Sequence, residues 1–377
     1  MPLKMKIAFL IGEVHPTAGQ THTIAEIIKY LFSVHPEWEV SLLSPKIYYP
    51  LAEGINNVRV KLMKIEQYYS AILLPRNMSE MLKDYDIIYI KGSFPYVFPA
   101  VKSGRPTVLV IHQMDSPRLF KGILPKLRIF AANLITGYTI RKPGTVVTVT
   151  DELAAFYSKK YGVNVKVIED QISDTYFGAK TRVAPDKSKG VKLLTVGYWD
   201  GPNGRKRQDL LLRYFAESVK VRPELRLSMV GLSDDNLINI GKLAQEMHLT
   251  NYLTMKGFLR EKELMEEYVD NHIYVTATTY EGFYRQIVEA FATGMPAVVY
   301  DSRSVVNDLS SSASANHVIK SGAGMLFNDA ESFRDSIAEV LYNYVEYSAK
   351  AREYALRYSP QVTGPKTMKL LETLNAG

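Results

Sequence analysis

Short runs of β-branched and aromatic residues alternate along the chain with longer stretches whose apolar positions recur every three or four residues. That is the pattern of βα repeats laid on parallel sheets. In the first half, Lys6–Ile11, Trp38–Leu43, Asp86–Lys91, Thr107–His112, Val146–Thr150 and Val165–Ile168 predict strands. Thr21–Phe32 predicts the first helix and Asp151–Tyr161 the last, with Asp151 at its N-cap. A polar break, VAPDKSKG at Val183–Gly190, interrupts the series, and then it restarts. The second half predicts strands at Lys192–Val196, Leu225–Val230, Tyr252–Met255, Ile273–Thr276 and Pro296–Tyr300. Its helices are predicted at Lys206–Val219, Asp235–Met247, Glu261–Val269, Arg285–Thr293 and Ala330–Leu356.

Two such series in tandem imply an α/β chain of two doubly wound domains, residues 1–180 and 181–357. The last segment, 358–377, follows a Ser-Pro break and is expected to cross back onto the first domain. Ligands of open parallel sheets sit beyond the carboxyl ends of the strands, so a cleft between two facing sheets is the expected site.

Composition narrows the class. The chain has 377 residues, 46% hydrophobic and 23% charged, which is ordinary for a globular enzyme. It contains no cysteine, which excludes disulfides and thiolate chemistry and fits a reducing, cytoplasmic setting. Near the start, Lys4 and Lys6 precede an apolar run too short for a signal-peptide core, and no stretch approaches the ~20 apolar residues of a spanning helix. The net charge of +7 is unevenly placed: residues 1–180 hold 22 Lys and Arg against 15 Asp and Glu, and the remainder balances at 24 of each. Residues 116–150 carry Arg118, Lys121, Lys126, Arg128, Arg141 and Lys142 and no acid. A one-sided basic surface implies an anionic partner.

The most informative stretch is Ile273–Tyr300, IYVTATTYEGFYRQIVEAFATGMPAVVY. Glu281 and Glu289 lie eight positions apart across a strand-loop-helix junction. Were both helical, ~12 Å would separate them along the axis, too far for two carboxylates to share one bond. The spacing suits a long ligand held at both ends, with a phosphate between them at a helix N-terminus. A nucleotide sugar has that shape. Taken alone, an E-x7-E pair is equally a helix-start acid and a solvated helix residue. Here Gly282 after the first Glu, and Gly294-x-Pro296 after the second, set it apart.

EGFYRQIVEAFATGMPAVV resembles the E-x7-E block of the family 4 glycosyltransferases, which have the GT-B fold: two Rossmann-like domains facing a central cleft. TVGYWDGPNGRKRQDLLL with PELRLSMVG, MKGFL, VTVTDELAAFYSKKYGVNVKVIED and KIAFLIGEVHPTAGQTHTIAEIIKYL resemble further blocks in the expected order. The resemblance covers nearly the whole chain. It implies a retaining, metal-independent transferase that moves a hexosyl group from a nucleotide-diphosphate sugar. No other cofactor is implied. The donor would be held mainly by the C-terminal domain and a sugar, lipid-linked or phosphorylated acceptor by the N-terminal one.

Carried over by position, Glu281 meets the donor sugar hydroxyls and Glu289 the ribose, so that losing Glu289 would weaken donor binding and change stability little. Gly282 and the backbone around Phe283, Tyr284 and Arg285 approach sugar and phosphates. Arg205 and Lys206 hold the diphosphate, Gly257 and Phe258 face the base, Gly19 passes close to the donor phosphate, and His112 stands beside the transferred sugar. His112, Glu281 and Lys206 are the catalytic candidates.

Three departures bear on these assignments. Tyr198 follows Gly197 where the family usually has Arg, and Arg205 is the candidate to replace that charge. Tyr284 stands where the family usually has Gly, and the first loop has Ala18-Gly19 where two glycines are common.

The histidines show no repeated metal-ligand spacing, and G-x-S-x-G and G-K-[ST] loops are absent, which argues against serine hydrolases and P-loop NTPases. Leu119–Lys142 mixes Lys121, Lys126 and Arg128 with Phe120, Ile123, Leu124, Ile129 and Phe130. It reads either as a core-facing helix with a basic outer side or as a patch that docks on an anionic membrane surface. Two rivals remain open: a sugar-nucleotide epimerase of the same architecture, and a non-catalytic binding protein. Glu281 and Glu289 argue against nucleic acid as the partner, since carboxylates repel a phosphate backbone.

Overall fold

A computed structural model describes residues 4–15, 19–48, 60–65, 76–92, 94–113, 122–201, 204–303 and 312–376. The chain divides into two compact units, Met1–Gln171 with Pro360–Gly377, and Ile172–Ser359.

The first unit is a seven-stranded sheet: β1 Lys6–Ile11, β2 Glu39–Ser44, β3 Lys61–Lys64, β4 Ile87–Lys91, β5 Thr107–Ile111, β6 Thr145–Thr148 and β7 Val165–Val167. The order is β3-β2-β1-β4-β5-β6-β7, with every pairing parallel. β1, β4 and β5 are apolar runs buried along almost their whole length, as strands covered on both faces must be. β3 escapes a pattern reading because KLMK is a half-buried edge strand with two apolar residues. The last helix, Pro360–Asn375, packs on the helix Gly19–Val34 of this unit. Its approach is close: a Cβ on Gly364 would lie 2.5 Å from the ring of Tyr30.

The second unit is a six-stranded parallel sheet: β8 Val191–Val196, β9 Leu225–Val230, β10 Leu253–Lys256, β11 Ile273–Thr276, β12 Ala297–Tyr300 and β13 Gly324–Phe327. Its order, β10-β9-β8-β11-β12-β13, reverses between β8 and β11, as that of the first unit reverses between β1 and β4. These are the two topological switch points, where open α/β sheets take their ligands.

Three local expectations are corrected. Thr150, not Asp151, caps the helix Asp151–Tyr161; its hydroxyl accepts from the Leu153 amide at 3.3 Å, and Asp151 falls in the first turn. The long helix expected over 330–356 is two, Ala330–Tyr342 and Tyr344–Ala355, divided where Asn343 turns its backbone out of helical geometry and its amide side chain donates to Glu339 at 2.6 Å. The helix expected from Lys206 begins at Gln208, after Arg207 takes a left-handed turn at φ 46°, so Lys206 belongs to the loop before it.

Candidate active site

At the switch point of the second unit, the loop after β8 delivers Arg205 and Lys206 and the loop after β11 delivers Glu281. Lys206 is 5% exposed, and its ammonium lies 2.7 Å from Glu281 Oε1. Arg205 Nη1 lies 3.9 Å from the other oxygen, so both cations address one carboxylate. Burial alone would lower the Lys206 pKa, but Glu281 and Tyr284 together outweigh it and the pKa is raised. The same competition raises that of Arg205.

Asp200 organises this loop. Its carboxylate accepts from the backbone N–H groups of Arg205 (2.9 Å) and Lys206 (3.2 Å). The Arg205 carbonyl in turn accepts from the Thr279 amide at 2.8 Å, which ties the loop after β8 to the loop after β11. Tyr198 bonds the Arg205 guanidinium through its hydroxyl, with its ring 5.6 Å from that cation. Arg205 therefore stands beside Glu281 with Tyr198 as its support. Arg207 pairs with Asp209 at 3.3 Å, and Trp199 packs into the core.

Tyr284 explains its own departure from the family pattern. The side chain turns into the core, where its hydroxyl lies 3.1 Å from Tyr274 Oη, 3.0 Å from Thr276 Oγ1 and 3.3 Å from Thr278 Oγ1. The Lys206 ammonium sits 4.4 Å from its ring centroid. The ring is thus a floor under the lysine, and as a contact Tyr284 serves the protein rather than presenting its side chain to a ligand.

Glu281 is not helical. It lies in the loop before the helix Arg285–Ala292, bridged to Ser312, and its carbonyl accepts from the Ala313 amide at 3.1 Å. Glu289 is inside that helix and buried, neither solvated nor unpartnered. Oε1 takes Arg285 Nε at 2.7 Å and Oε2 the hydroxyl of Tyr268 at 3.0 Å. Burial raises its pKa, and the Arg285 charge only partly offsets that.

Gly282 is buried, and Phe283 packs edge-on against His317. Gly257 and Phe258 follow β10 at the same carboxyl edge of the sheet; the Gly257 carbonyl accepts from Gly231 and the Phe258 side chain is exposed.

In the first unit, Gly19 opens its helix, and a Cβ there would meet nothing within 4 Å, so the protein's own packing does not demand glycine. His112 follows β5, and its Nδ1 lies 3.1 Å from Asp170 Oδ2. The wholly buried ammonium of Lys91, at the end of β4, lies 3.0 Å from Asp170 Oδ1. Burial, reinforced by the Lys91 charge, lowers the His112 pKa against the opposing pull of Asp170.

Asp200, Tyr268, Lys91 and Asp170 escape a motif reading. One signal was present for Lys91: a lysine closing the otherwise apolar strand IIYIK must be buried with a counter-charge.

The helix Ile123–Thr139 carries Ile123, Leu124, Leu127, Phe130, Leu134 and Tyr138, all exposed, with exposed Lys126 among them. These apolar side chains do not face the core, which the helix meets instead through the buried Thr136 and Thr139. Lys121 and the side chain of Arg128 lie outside the described residues. Among the described residues no helix is long and apolar enough to cross a membrane, and no group of three metal-ligating side chains is assembled.

Two family models match the chain: Glycosyltransferase Family 4 over residues 17–170 and Glycosyl transferases group 1 over residues 190–358. The chain is 30% identical over 117 residues to the GtfA subunit of a UDP-N-acetylglucosamine–peptide N-acetylglucosaminyltransferase from Streptococcus pneumoniae. That match takes in 31% of this chain but only 22% of the relative. Among solved structures, Anabaena HepE with UDP and glucose superposes with a TM-score of 0.72 at 16% identity, over 98% of this chain and 99% of that one. A Rickettsia africae glycosyltransferase gives 0.76 at 14% identity over 98% of both chains. Sucrose-phosphate synthase of Thermosynechococcus elongatus gives 0.73 at 15% identity, over 99% of this chain and 100% of that one. At such identities the likeness speaks for the fold, and the fold is GT-B. With the two models matched in tandem and in the family's order, the chain belongs to the family 4 type of GT-B glycosyltransferases.

Proposed function

We propose that the protein transfers a hexosyl group, with retention of configuration and without a metal ion, from a nucleotide-diphosphate sugar to a sugar or lipid-linked acceptor. The observation that carries this reading is the Arg205–Lys206–Glu281 cluster at the β8/β11 switch point. Two preassembled cations suit a diphosphate, and a carboxylate beside them suits sugar hydroxyls. The bond from the anomeric carbon to the β-phosphate oxygen breaks with its electron pair on that oxygen, the acceptor hydroxyl oxygen bonds to the same face of the anomeric carbon and gives its proton to the departing phosphate, and Arg205 and Lys206 hold the charge that develops. Glu289 takes the ribose, Gly257 and Phe258 face the base, and His112 serves the transferred sugar. UDP in the HepE complex supports a uridine nucleotide as the first donor to test.

Activity is expected to persist in excess EDTA; loss that magnesium or manganese restores would overturn the metal-free mechanism. Incubation with donor alone separates the epimerase reading, because an epimerase turns over without an acceptor. The anomeric proton of the product, read by NMR, tests retention.

The exposed apolar stripe of Ile123–Thr139 supports a second element of the reading, docking on the anionic cytoplasmic face of a membrane. Its neighbourhood is uniformly basic across 35 residues, so charge complementarity selects anionic lipid. The protein is expected to sediment with phosphatidylglycerol vesicles, not with phosphatidylcholine ones, and salt should weaken the association. Leu127→Ser with Phe130→Ser should abolish it and leave nucleotide affinity intact. Equal binding to neutral vesicles would remove the electrostatic part.

A further inference from the structure

Lys91, Asp170 and His112 form a chain of charge-assisted hydrogen bonds within the first unit. Lys91 is the last residue of β4, His112 the first after β5, and Asp170 follows β7. Three strand ends therefore meet at one carboxylate.

That carboxylate is firmly presented. Glu169 pairs with Lys366 at 2.7 Å, and the Gln171 side chain donates to the Glu26 carbonyl at 3.1 Å and accepts from Thr363 at 3.4 Å. Burial opposes ionisation of Asp170, but His112 and Lys91 outweigh it and hold its pKa well below the usual carboxylate range. Two tyrosines stand near the chain as well: Tyr89, whose pKa burial and the Asp170 charge both raise, and Tyr157, which donates to the carbonyl of Gln113, next to His112, at 3.3 Å.

An ionised carboxylate can only accept, so the proton at His112 Nδ1 must belong to the ring. Burial disfavours an imidazolium at His112, and Lys91 offsets part of the Asp170 charge that would favour one. A neutral ring protonated at Nδ1 has its lone pair on Nε2. That atom is buried and has no hydrogen-bond partner among the described residues.

We propose that Asp170, held by Lys91, is a positioning residue that locks His112 in the neutral Nδ1–H tautomer, so that Nε2 accepts from a hydroxyl of the transferred sugar. The inference rests on the role given to His112 above and deepens it. The lysine keeps the lock neutral: a bare carboxylate would also orient the ring, but it would draw a second proton onto it and convert the acceptor into a donor.

Long-range 1H–15N correlation spectra of the full-length protein at pH 7.5 read the tautomer without any sugar present. The expected His112 signature is a protonated Nδ1 and an unprotonated Nε2. In Asp170→Asn, Lys91 retains the amide oxygen, the amide nitrogen turns to His112, and the tautomer should reverse. Turnover should then fall by about 10²-fold, the scale of a misplaced reacting group. The KM for donor should move little. In Lys91→Met the ring should become protonated at a higher pH than in the wild type. A wild-type ring protonated at Nε2, or doubly protonated, overturns the lock. Tautomer reversal with unaltered turnover overturns the positioning role. Full turnover in His112→Ala overturns the proposal at His112 itself, and the wild-type spectrum shows whether the lock fails with it.

Discussion

Lys206→Ala is expected to cut turnover by about 10²-fold or more, the cost of losing one preorganised donor to developing charge. That loss corresponds to about 2.7 kcal/mol of transition-state stabilisation. The reason is placement: the ammonium is buried, 2.7 Å from Glu281 and 4.4 Å from the Tyr284 ring centroid, with its backbone N–H pinned by Asp200. A charge held in this way needs no reorganisation when the diphosphate begins to leave. Removing it also strands Glu281, which among the described residues keeps Arg205 at 3.9 Å as its one cation, so some loss of stability accompanies the loss of rate. Lys206→Met preserves the stem over Tyr284, and Lys206→Met with Glu281→Gln removes the stranded charge. If turnover in the first of these is near normal, Arg205 carries the leaving group instead.

The second large effect concerns folding. Glu289→Ala should destabilise the second unit by about 3–5 kcal/mol, because it takes the buried carboxylate from the half-buried Arg285 and leaves the Tyr268 hydroxyl without this acceptor. In a unit of this size the melting temperature should fall by roughly 6–20 °C. Position in the sequence suggests a change that leaves stability almost untouched; burial of the pair reverses that expectation. Ribose recognition is therefore tested with Glu289→Gln, which keeps an acceptor for Tyr268. Its affinity for the nucleoside diphosphate should weaken by ~1–3 kcal/mol. Unchanged affinity would remove Glu289 from the donor site, and unchanged melting in Glu289→Ala would show the pair to be solvated.

The sheets were legible because buried parallel strands are short unbroken apolar runs. β1, β9 and β11 occupy the residues the pattern predicts, and the other predicted strands differ by one or two residues at one or both ends. β13 was not, since GMLF is brief and opens on a glycine at φ 155° whose Cβ would fall 1.9 Å from the Ala297 carbonyl oxygen. At the candidate site, Glu281 and Lys206 were legible as a motif, but their pairing was not. It depends on loops 75 positions apart meeting through the Thr279–Arg205 hydrogen bond. Tyr284 shows the limit most plainly: it stands where the family usually has Gly, and its side chain turns into the core. Side-chain direction in a loop is set by tertiary neighbours such as Tyr274 and Thr276, which no local pattern encodes.

The return of Pro360–Asn375 to the first unit has a consequence for the order of assembly on the ribosome. The second unit is one uninterrupted stretch, Ile172–Ser359, and all of it has been synthesised before the last helix emerges. The first unit must wait, with the face of Gly19–Val34 that receives Gly364 uncovered and His35, Gln171 and Glu169 lacking their partners Glu372, Thr363 and Lys366. The segment begun first is thus the last to close, and at ~5–20 residues per second the interval lasts on the order of ten seconds or more. During it the surface open to chaperones and proteases lies in the unit begun before the other rather than in the one begun after it.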